Sequence, residues 1–405
     1  MKNKKIKILI PNATSPRNIG DLAMLDVLLD LIKKAHKNSE IIIHSTEHKS
    51  HNRKIADRIS HTLYSWAVFS KTDAFTRINR ISQLVLVYFL VALKLPYGFI
   101  SKELRELVED YKNSKLIIFV GGGYLRSKKG ITQTLNLLMI LFIFQFSRLF
   151  KVNKIVAPIS FGPFAYKWQE ELSAKVLNGL GELSAREDIS HQLMKKNKLG
   201  NVALSADHAL LLKSKKSKSG NRNKFILGFT IRNWLDKSNQ SLFERHFVNA
   251  LLRFSEETGS FIQPIVQVDA PKYGDKDLVI TTRISRYLKK HGIRVLKVKR
   301  NNSLNKSLVN YSNIDALLGM RMHSNILAAT QNKPFIAIAY EHKTNGISKQ
   351  LGMDKYCIKV EDVNEDKLYR LLINMYKKYD KNSSIIKNKL DVIRRKELRF
   401  WTSTL

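Results

Sequence analysis

The chain has 405 residues, of which 44% are hydrophobic and 26% charged, and this composition excludes a disordered or collagen-like protein. Its single cysteine, Cys357, excludes an intramolecular disulfide framework and a Cys-rich zinc module. The 70 Lys and Arg residues outnumber the 34 Asp and Glu residues, and the net charge of +36 favours anionic partners such as phosphorylated substrates, acidic lipid headgroups or nucleic acid.

The first half of the chain alternates strand-like and helix-like segments. Residues 6–10 are predicted to form a buried strand that Pro11 and Asn12 end, and their apolar stretch is too short for a signal peptide. An Asn/Gly turn and a helix over 22–34 follow. Further strands are predicted at 40–44, 116–120 and 154–160. Strands that alternate with helices predict a parallel sheet covered on both faces.

The second half repeats this pattern after a polar, basic run at 213–223, which cannot bury apolar area and is predicted to be a linker. Five more strands are predicted, at 225–231, 261–268, 294–298, 316–318 and 335–339. A basic helical tail follows over 368–401. We therefore expect an α/β fold with two Rossmann-like domains, 1–212 and 224–405, that face a cleft.

Two segments, 84–93 and 135–144, are strongly apolar but shorter than the roughly 20 residues that span a bilayer. They are predicted to be buried core helices. The alternative is a monotopic patch that rests on an anionic inner leaflet with the help of the surplus Lys and Arg.

The first strand leads into Asn18-Ile19-Gly20-Asp21, directly before a helix. Asp21 is predicted to cap this helix, and Gly20 would let the backbone approach a ligand closely. An ordinary capped turn is the alternative.

A second loop, Gly121-Gly122-Gly123, follows an apolar strand and is predicted to open a helix. Its backbone N–H groups would suit an anion or a carboxylate. It is not a dinucleotide fingerprint, because the third glycine of that motif would fall at Arg126.

Cationic side chains follow later strands. Arg186 lies beside two acids, where a surface salt bridge is the alternative to a ligand contact. Arg321 and His323 follow the strand at 316–318, and on an extended strand end both would face the same side. Arg binds phosphate or carboxylate as a fork, and His can move a proton near neutral pH. Lys343 adds a cation after the next strand. A structural Arg with a packed His is the alternative.

Other kinds of site are not supported. His44, His48 and His51 lie in a polar stretch without cysteine and are predicted to belong to a solvated loop, not to a zinc site. No G-x-S-x-G motif occurs, and no convincing D-x-D pair follows a strand. Basic residues are not interleaved with aromatics, so we expect no nucleic-acid partner. No metal or cofactor is expected.

Taken in order, several short motifs resemble the polysaccharide pyruvyl transferase family over about residues 7–375. They are Asn18-x-Gly20-Asp21, Gly121-Gly122-Gly123, Ser160-Phe161-Gly162-Pro163-Phe164, Ala185-Arg186-Glu187-x-x-Ser190, Asp207, Arg321-x-His323 and Tyr340-x-x-Lys343. The resemblance implies a GT-B-like fold and transfer of the pyruvyl unit of phosphoenolpyruvate to a sugar, usually as a ketal. It also implies a donor site formed by Arg186, Arg321, His323 and Lys343. One departure is Tyr124, where many relatives carry another glycine.

These observations predict a cytoplasmic pyruvyltransferase, peripheral on the inner face of the plasma membrane, that acts on a sugar of a cell-surface polysaccharide or its lipid-linked precursor. His323 and Lys343 are the candidate catalytic residues, and which is acid and which is base stays open. The remaining candidates, Arg186, Arg321 and the two glycine-containing loops, would bind substrate. The alternatives are a GT-B glycosyltransferase that uses a nucleotide sugar, and a non-catalytic protein that binds anions or membranes.

Overall fold

A computed structural model describes residues 5–68, 73–215, 224–270, 275–301 and 303–405. The chain divides into two compact units. The first comprises Met1–Pro16, Met24–Asp207 and Phe400–Leu405, and the second comprises Arg17–Ala23 and His208–Arg399. The predicted domain limits, 1–212 and 224–405, stay a prediction, and residues 216–223 of the predicted linker lie outside the described residues.

The first unit is built on an eight-stranded parallel sheet in the order β3-β2-β1-β4-β6-β7-β8, with β5 paired to the end of β6. Its strands are β1 (Ile6–Ala13), β2 (Ser39–Ser45), β3 (Arg58–His61), β4 (Leu116–Phe119), β5 (Gly122–Leu125), β6 (Asn153–Phe161), β7 (Glu182–Ala185) and β8 (Val202–Leu204). The central strands are continuous apolar runs, which is what a sheet covered on both faces requires.

Seven α-helices lie in the described residues of this half of the chain. They are α1 (Ile19–Ala35), α2 (Leu63–Val68), α3 (Ala74–Ala92), α4 (Lys102–Asn113), α5 (Ile131–Ser147), α6 (Lys167–Leu177) and α7 (Asp188–Lys196). The predicted end of the first strand at Pro11 is wrong, because β1 continues to Ala13. Proline lacks an N–H donor, and the register with β2 shifts between Ile10 and Ala13 instead of ending there.

The glycine loop also differs from its prediction. It does not open a helix: residues from Gly122 to Leu125 form β5, and α5 begins only at Ile131. The reason is that β6 is long enough to pair with this segment beyond its ladder with β4, through Gly122 to Ile159 and Leu125 to Phe161. No helix N-terminus therefore lies at the glycines.

The second unit holds a six-stranded parallel sheet in the order β13-β10-β9-β14-β15-β16, and a two-stranded ribbon of β11 and β12. Its strands are β9 (Ile226–Thr230), β10 (Phe261–Val266), β11 (Asp269–Ala270), β12 (Asp275–Lys276), β13 (Lys299–Arg300), β14 (Ala316–Gly319), β15 (Phe335–Ala339) and β16 (Cys357–Lys359). Two α/β halves of this kind confirm the predicted fold class.

The helices of the second half are α8 (Lys237–Thr258), α9 (Asp277–Lys290), α10 (Leu304–Ser312), α11 (Met322–Thr330), α12 (His342–Gln350), α13 (Glu365–Lys377) and α14 (Tyr379–Thr404). The predicted tail helix is therefore two helices. The strand predicted at 294–298 is wrong as well. Only a single bridge joins Val295 to Ile262, because the Gln263 side chain donates to the Lys297 carbonyl and interrupts the ladder.

The two apolar segments behave differently. On α5, Leu137, Leu141 and Phe144 are buried in the core of the first unit, as predicted. The core prediction is wrong for most of α3. Among the described residues, one helix is long and apolar enough to cross a membrane by length and composition, over Phe75–Ala92, and only 11% of that window is buried.

Candidate functional site

Three adjacent strands bring side chains to one edge of the second sheet. Strands β9, β14 and β15 are neighbours and parallel, so their carboxyl ends lie together. Arg232 and Trp234 follow β9, Arg321 and His323 follow β14, and Lys343 follows β15. The carboxyl edge of an open parallel sheet is where such folds bind ligands.

Arg321 is held by a carboxylate. It is buried directly before α11, and its Nε and Nη2 donate to the two carboxylate oxygens of Asp277 at 3.0 Å and 2.6 Å. Asp277, the first residue of α9, also accepts a hydrogen bond from the Val268 amide at 3.2 Å. A bidentate pair of this kind fixes the plane of the guanidinium.

Sequence reasoning missed Asp277, although a signal was present. Asp275-Lys276-Asp277 is a D-x-D pair, and it stands at the start of a helix in the second unit. Nothing in the local sequence connects it with Arg321, which lies 44 positions away.

His323 lies in a helix and not on an extended strand end, so the predicted geometry is wrong. Strand β14 ends at Gly319, and His323 is the second residue of α11. Its half-buried ring packs against the backbone of Gly20. A Cβ added to Gly20 would lie 2.2 Å from Cγ of His323, which no real contact permits. A glycine at position 20 is thus required for the close contact with His323. The contact joins the early Asn-x-Gly-Asp motif to His323.

The residues around Gly20 brace the turn. Asn18 Oδ1 accepts a hydrogen bond from the Gly20 amide at 3.2 Å, and Asn18 Nδ2 donates to Asp21 at 2.9 Å. Since α1 begins at Ile19, Asn18 is the capping residue and the prediction that Asp21 caps the helix is wrong.

Lys343 is the second residue of α12 and is half-buried. Its Nζ lies 2.6 Å from a carboxylate oxygen of Glu341, the residue that precedes the helix. Arg321 and Lys343 therefore each have a carboxylate partner within the second unit.

An aromatic and cationic cluster at the same edge was also missed. The rings of Trp234 and Tyr340 lie 4.5 Å apart, and the guanidinium of Arg232 lies 5.1 Å from the centre of each ring. Arg232 also donates to the Tyr340 hydroxyl at 3.3 Å. The available signal was the Arg-x-Trp sequence directly after a buried strand.

In the first unit, Arg186 follows β7 and is buried. Its Nε donates to Ser160 Oγ at 2.7 Å, and its Nη1 donates to Asp207 at 3.0 Å. The alternative of a surface salt bridge is wrong, because both partners are buried. Removing one partner of a buried pair typically costs about 3–5 kcal/mol.

The glycine loop lies one strand away from Arg186. Ile159 of β6 pairs with Gly122 on one side, and on the other side its carbonyl accepts from the Arg186 amide at 3.0 Å. A Cβ on Gly121 would lie 2.4 Å from the Pro158 carbonyl oxygen. Packing against the Pro158 backbone is therefore a sufficient reason for a glycine at position 121. The substrate-binding role of the three glycines stays a prediction.

The histidine-rich segment is not a solvated loop, at least for His44 and His51. Both are buried: His44 Nε2 lies 3.0 Å from Asp110, and His51 Nε2 lies 2.8 Å from Ser45 Oγ. Burial lowers the pKa of each below its usual value. In the part of the chain that the structure describes, no group of three or more His, Cys, Asp or Glu residues is arranged to hold a metal ion.

Solved structures with the same overall fold include complexes with UDP and with UDP-glucose. HepE of Anabaena, in complex with UDP-glucose, is 11% identical with a TM-score of 0.56, over 98% of this chain and 97% of that one. A glycosyltransferase from Rickettsia africae is 11% identical with a TM-score of 0.55, over 99% of both chains. MnaA of S. aureus, solved with UDP, is 12% identical with a TM-score of 0.55, over 95% and 92%. At these identities the comparison establishes a GT-B-like fold alone.

The family is established by a sequence comparison. The model of the polysaccharide pyruvyl transferase family matches residues 18–342. This range includes the Asn18 turn, the glycine loop, Arg186, Arg321 and His323, and it stops one residue before Lys343. The chain therefore belongs to the polysaccharide pyruvyl transferase family.

Proposed function

We propose that the protein transfers the pyruvyl unit of phosphoenolpyruvate to a sugar of a cell-surface polysaccharide or its lipid-linked precursor, and that the product is a ketal. The observation that carries this proposal is the position of Arg321, His323 and Lys343, which follow the neighbouring strands β14 and β15 in a chain of this family. Phosphoenolpyruvate has a carboxylate and a phosphate, and fixed guanidinium and ammonium groups bind such anions.

The proposed reaction balances without an oxidant or a reductant. A proton adds to the methylene carbon of the donor, and C2 becomes electrophilic. Two sugar hydroxyls form C–O bonds to C2, while the bond between C2 and the bridging oxygen breaks. One hydroxyl proton ends on the new methyl group, and the other leaves with inorganic phosphate.

In this scheme His323 moves a proton at the methylene carbon or at the departing phosphate. Arg321, whose plane Asp277 fixes, binds an anionic group of the donor, and Lys343 supplies a second cation. Arg186 is proposed to bind the donor as well. Asn18, Gly20 and Asp21 place a tight turn against His323.

For the acceptor we propose the cluster of Arg232, Trp234 and Tyr340. The C–H face of a sugar packs well on aromatic rings, and an Arg beside them can bind a hydroxyl or a phosphate of a lipid-linked precursor. We place the protein at the cytoplasmic face of the membrane, where such a precursor would be available.

The test is phosphate release when the protein is incubated with phosphoenolpyruvate and candidate acceptor glycans. Release that depends on the acceptor supports the proposal. No release with any phosphorylated three-carbon donor, from folded protein over a broad acceptor panel, would contradict it.

A specific observation keeps one alternative open to test. The adjacent rings of Trp234 and Tyr340, tilted by 45° to each other, could also take a nucleobase, as a glycosyltransferase with a nucleotide-sugar donor would need. Thermal protection by a nucleoside diphosphate and none by phosphoenolpyruvate would favour that alternative. Binding of phosphoenolpyruvate without turnover would favour a non-catalytic anion-binding protein.

A further inference from the structure

Helix α3 presents a large apolar surface that the first unit does not cover. We call it the docking face: Phe75, Ile78, Ile81, Val85, Phe89 and Leu93. The exposed fraction of these side chains runs from 42% for Ile81 to 80% for Phe75. Side chains at intervals of three to four residues share one side of a helix.

The opposite side of α3 is attached to the folded unit. Leu84 and Val87 are buried in its core. The Arg80 guanidinium donates to the Trp66 carbonyl at 2.8 Å, and the Tyr88 hydroxyl accepts from Gln145 of α5 at 3.1 Å. A helix held along its length in this way has its whole apolar side exposed along the surface of the folded unit. It is therefore suited to lie on a bilayer surface and not to cross the bilayer.

The size of the surface sets it apart from scattered exposed residues. Five of its six side chains come from α3, Leu93 is the residue that caps the helix, and Leu95 and Phe99 of the following loop are exposed as well. Isolated exposed apolar residues are ordinary, whereas a contiguous patch marks a site of interaction.

The charge of the flanking sequence favours an anionic partner. Residues 74–102 contain four Lys or Arg and no Asp or Glu, and residues 111–169 contain nine Lys or Arg and no Asp or Glu. Among these cations, Arg77, Lys94, Lys128 and Lys129 are exposed. The acids Asp73, which caps α3, and Glu103 border the first range and are exposed, so the cations are in excess there. An apolar surface with a surplus of cations complements a layer of anionic lipid headgroups over an apolar interior.

The same charges disfavour a second copy of this chain as the partner. In a two-fold dimer the same surface meets itself. Arg77 and Lys94 of each copy would then approach cations of the other, and the sequence from 73 to 102 offers a single acid, Asp73, against four Lys or Arg.

We propose that the docking face of α3 binds the protein to bilayers that contain anionic lipids, with the helix lying in the plane of the membrane surface. Its purpose rests on the proposed function, because a lipid-linked acceptor would lie at the same surface. Binding to lipid, however, needs no turnover.

The experiment is co-sedimentation of the full chain with phosphatidylcholine vesicles, with and without phosphatidylglycerol, at low and high salt. The apolar variant is Phe75→Ser/Ile78→Ser/Phe89→Ser, and its matched control is Leu242→Ser/Val279→Ser/Tyr287→Ser, at exposed apolar residues of the second unit. The charge variant is Lys128→Gln/Lys129→Gln. Its control is the exposed pair Lys195→Gln/Lys196→Gln.

We expect binding to the anionic vesicles that weakens as salt rises, since exposed charges are screened beyond about 10 Å at 0.1 M salt. The apolar variant should bind at least about a hundredfold more weakly, and the charge variant about tenfold or more. Both controls should bind like the wild type. Phosphate release with a short water-soluble acceptor should stay unchanged in every folded variant, which separates loss of docking from failure of the proposed chemistry.

Three results would overturn the proposal. One is vesicle binding that the apolar variant retains. Another is wild-type protein that binds no vesicle but forms a dimer that the apolar variant abolishes, which would assign the face to a second copy. The third is protein that only detergent removes from membranes, which would assign α3 to a spanning segment.

Discussion

His323 is the residue on which the proposed chemistry depends most. His323→Gln keeps approximate size and hydrogen bonding but cannot shuttle a proton. We expect turnover to fall by about two to four orders of magnitude while donor affinity changes little. Single-turnover rate, donor affinity and melting temperature, measured on the same variant, check this. A lowered melting temperature with near-normal turnover would instead assign His323 a packing role and move attention to Lys343.

Gly20 gives an independent test of the same site, because it has no reactive side chain and affects the reaction only by where it lets the His323 ring lie. Gly20→Ala places a methyl group where the His323 ring lies, so the ring must move. A shift of about 1 Å in a catalytic group can cost about a hundredfold in rate, and we expect a loss of that order.

The matched control is Gly200→Ala, because a Cβ there meets nothing within 4 Å and the backbone is not left-handed. It should leave rate and stability unchanged. Normal turnover in Gly20→Ala would show that the position of His323 against this turn is irrelevant to the reaction.

For single residues, the sequence indicated which side chains are candidates for the site, but it did not indicate which side chains pair with them. Arg186, Arg321, His323 and Lys343 could be selected because each follows a strand. The carboxylate partners of the two arginines are distant in sequence: Asp277 is 44 positions from Arg321 and Asp207 is 21 positions from Arg186. Such pairs depend on which strands are neighbours, and a single sequence does not specify that order.

Among the elements, strands bounded by turn residues were the most predictable. The strand at 335–339 has the predicted limits, since Pro334 precedes it and polar residues follow. The glycine loop was mispredicted because its structure depends on the extra length of β6. Helix α3 was mispredicted because a helix that is apolar on all sides carries no signal of which side is exposed.

The ends of β9 and β15 form the proposed acceptor platform, and Trp234 is its most testable member. Trp234→Ala removes the ring that lies against Tyr340. We expect the KM for the acceptor to rise about tenfold or more while donor affinity stays within about twofold, because an aromatic contact is worth about 0.5–1.5 kcal/mol beyond its buried area. Trp234→Phe should restore most of the loss. A rise in the KM of the donor alone would place the ring at the donor instead.

The histidines near β2 and β3 predict how stability depends on pH. Burial, followed by the charge of His48, lowers the pKa of His61 to about 4. The unfolded chain, with a histidine pKa near 6.5, therefore binds more protons than the folded chain between these values. The contribution of His61 to stability is present above about pH 6.5 and is lost as the pH falls towards about 4.

Accordingly, the free energy of unfolding of the wild type should fall from pH 7 to pH 4.5 more steeply than that of His61→Gln. Denaturant unfolding at several pH values measures both slopes. His291→Gln, at an exposed histidine of the second unit, is the control. Parallel slopes for His61→Gln and the wild type would show that His61 does not contribute to the acid sensitivity.

For the molecule as a whole, the net charge of +36 favours an anionic partner and the family match supports a pyruvyltransferase role, but neither identifies the donor or the acceptor. The fold does not identify it either, since solved structures with the same fold carry UDP or UDP-glucose. In the proposed ketal formation, the bond between C2 and the bridging oxygen of the donor breaks. In phosphate hydrolysis, the bond between phosphorus and that oxygen breaks instead.

The measurement that tests this most directly uses phosphoenolpyruvate labelled with ¹⁸O at the oxygen that bridges C2 and phosphorus. Both ketal oxygens come from the sugar, so the account predicts that all of the label leaves with phosphate, and that phosphate and pyruvylated glycan form in equal amounts. Unlabelled phosphate together with labelled pyruvate would mean that the P–O bond breaks, and this result would contradict pyruvyl transfer.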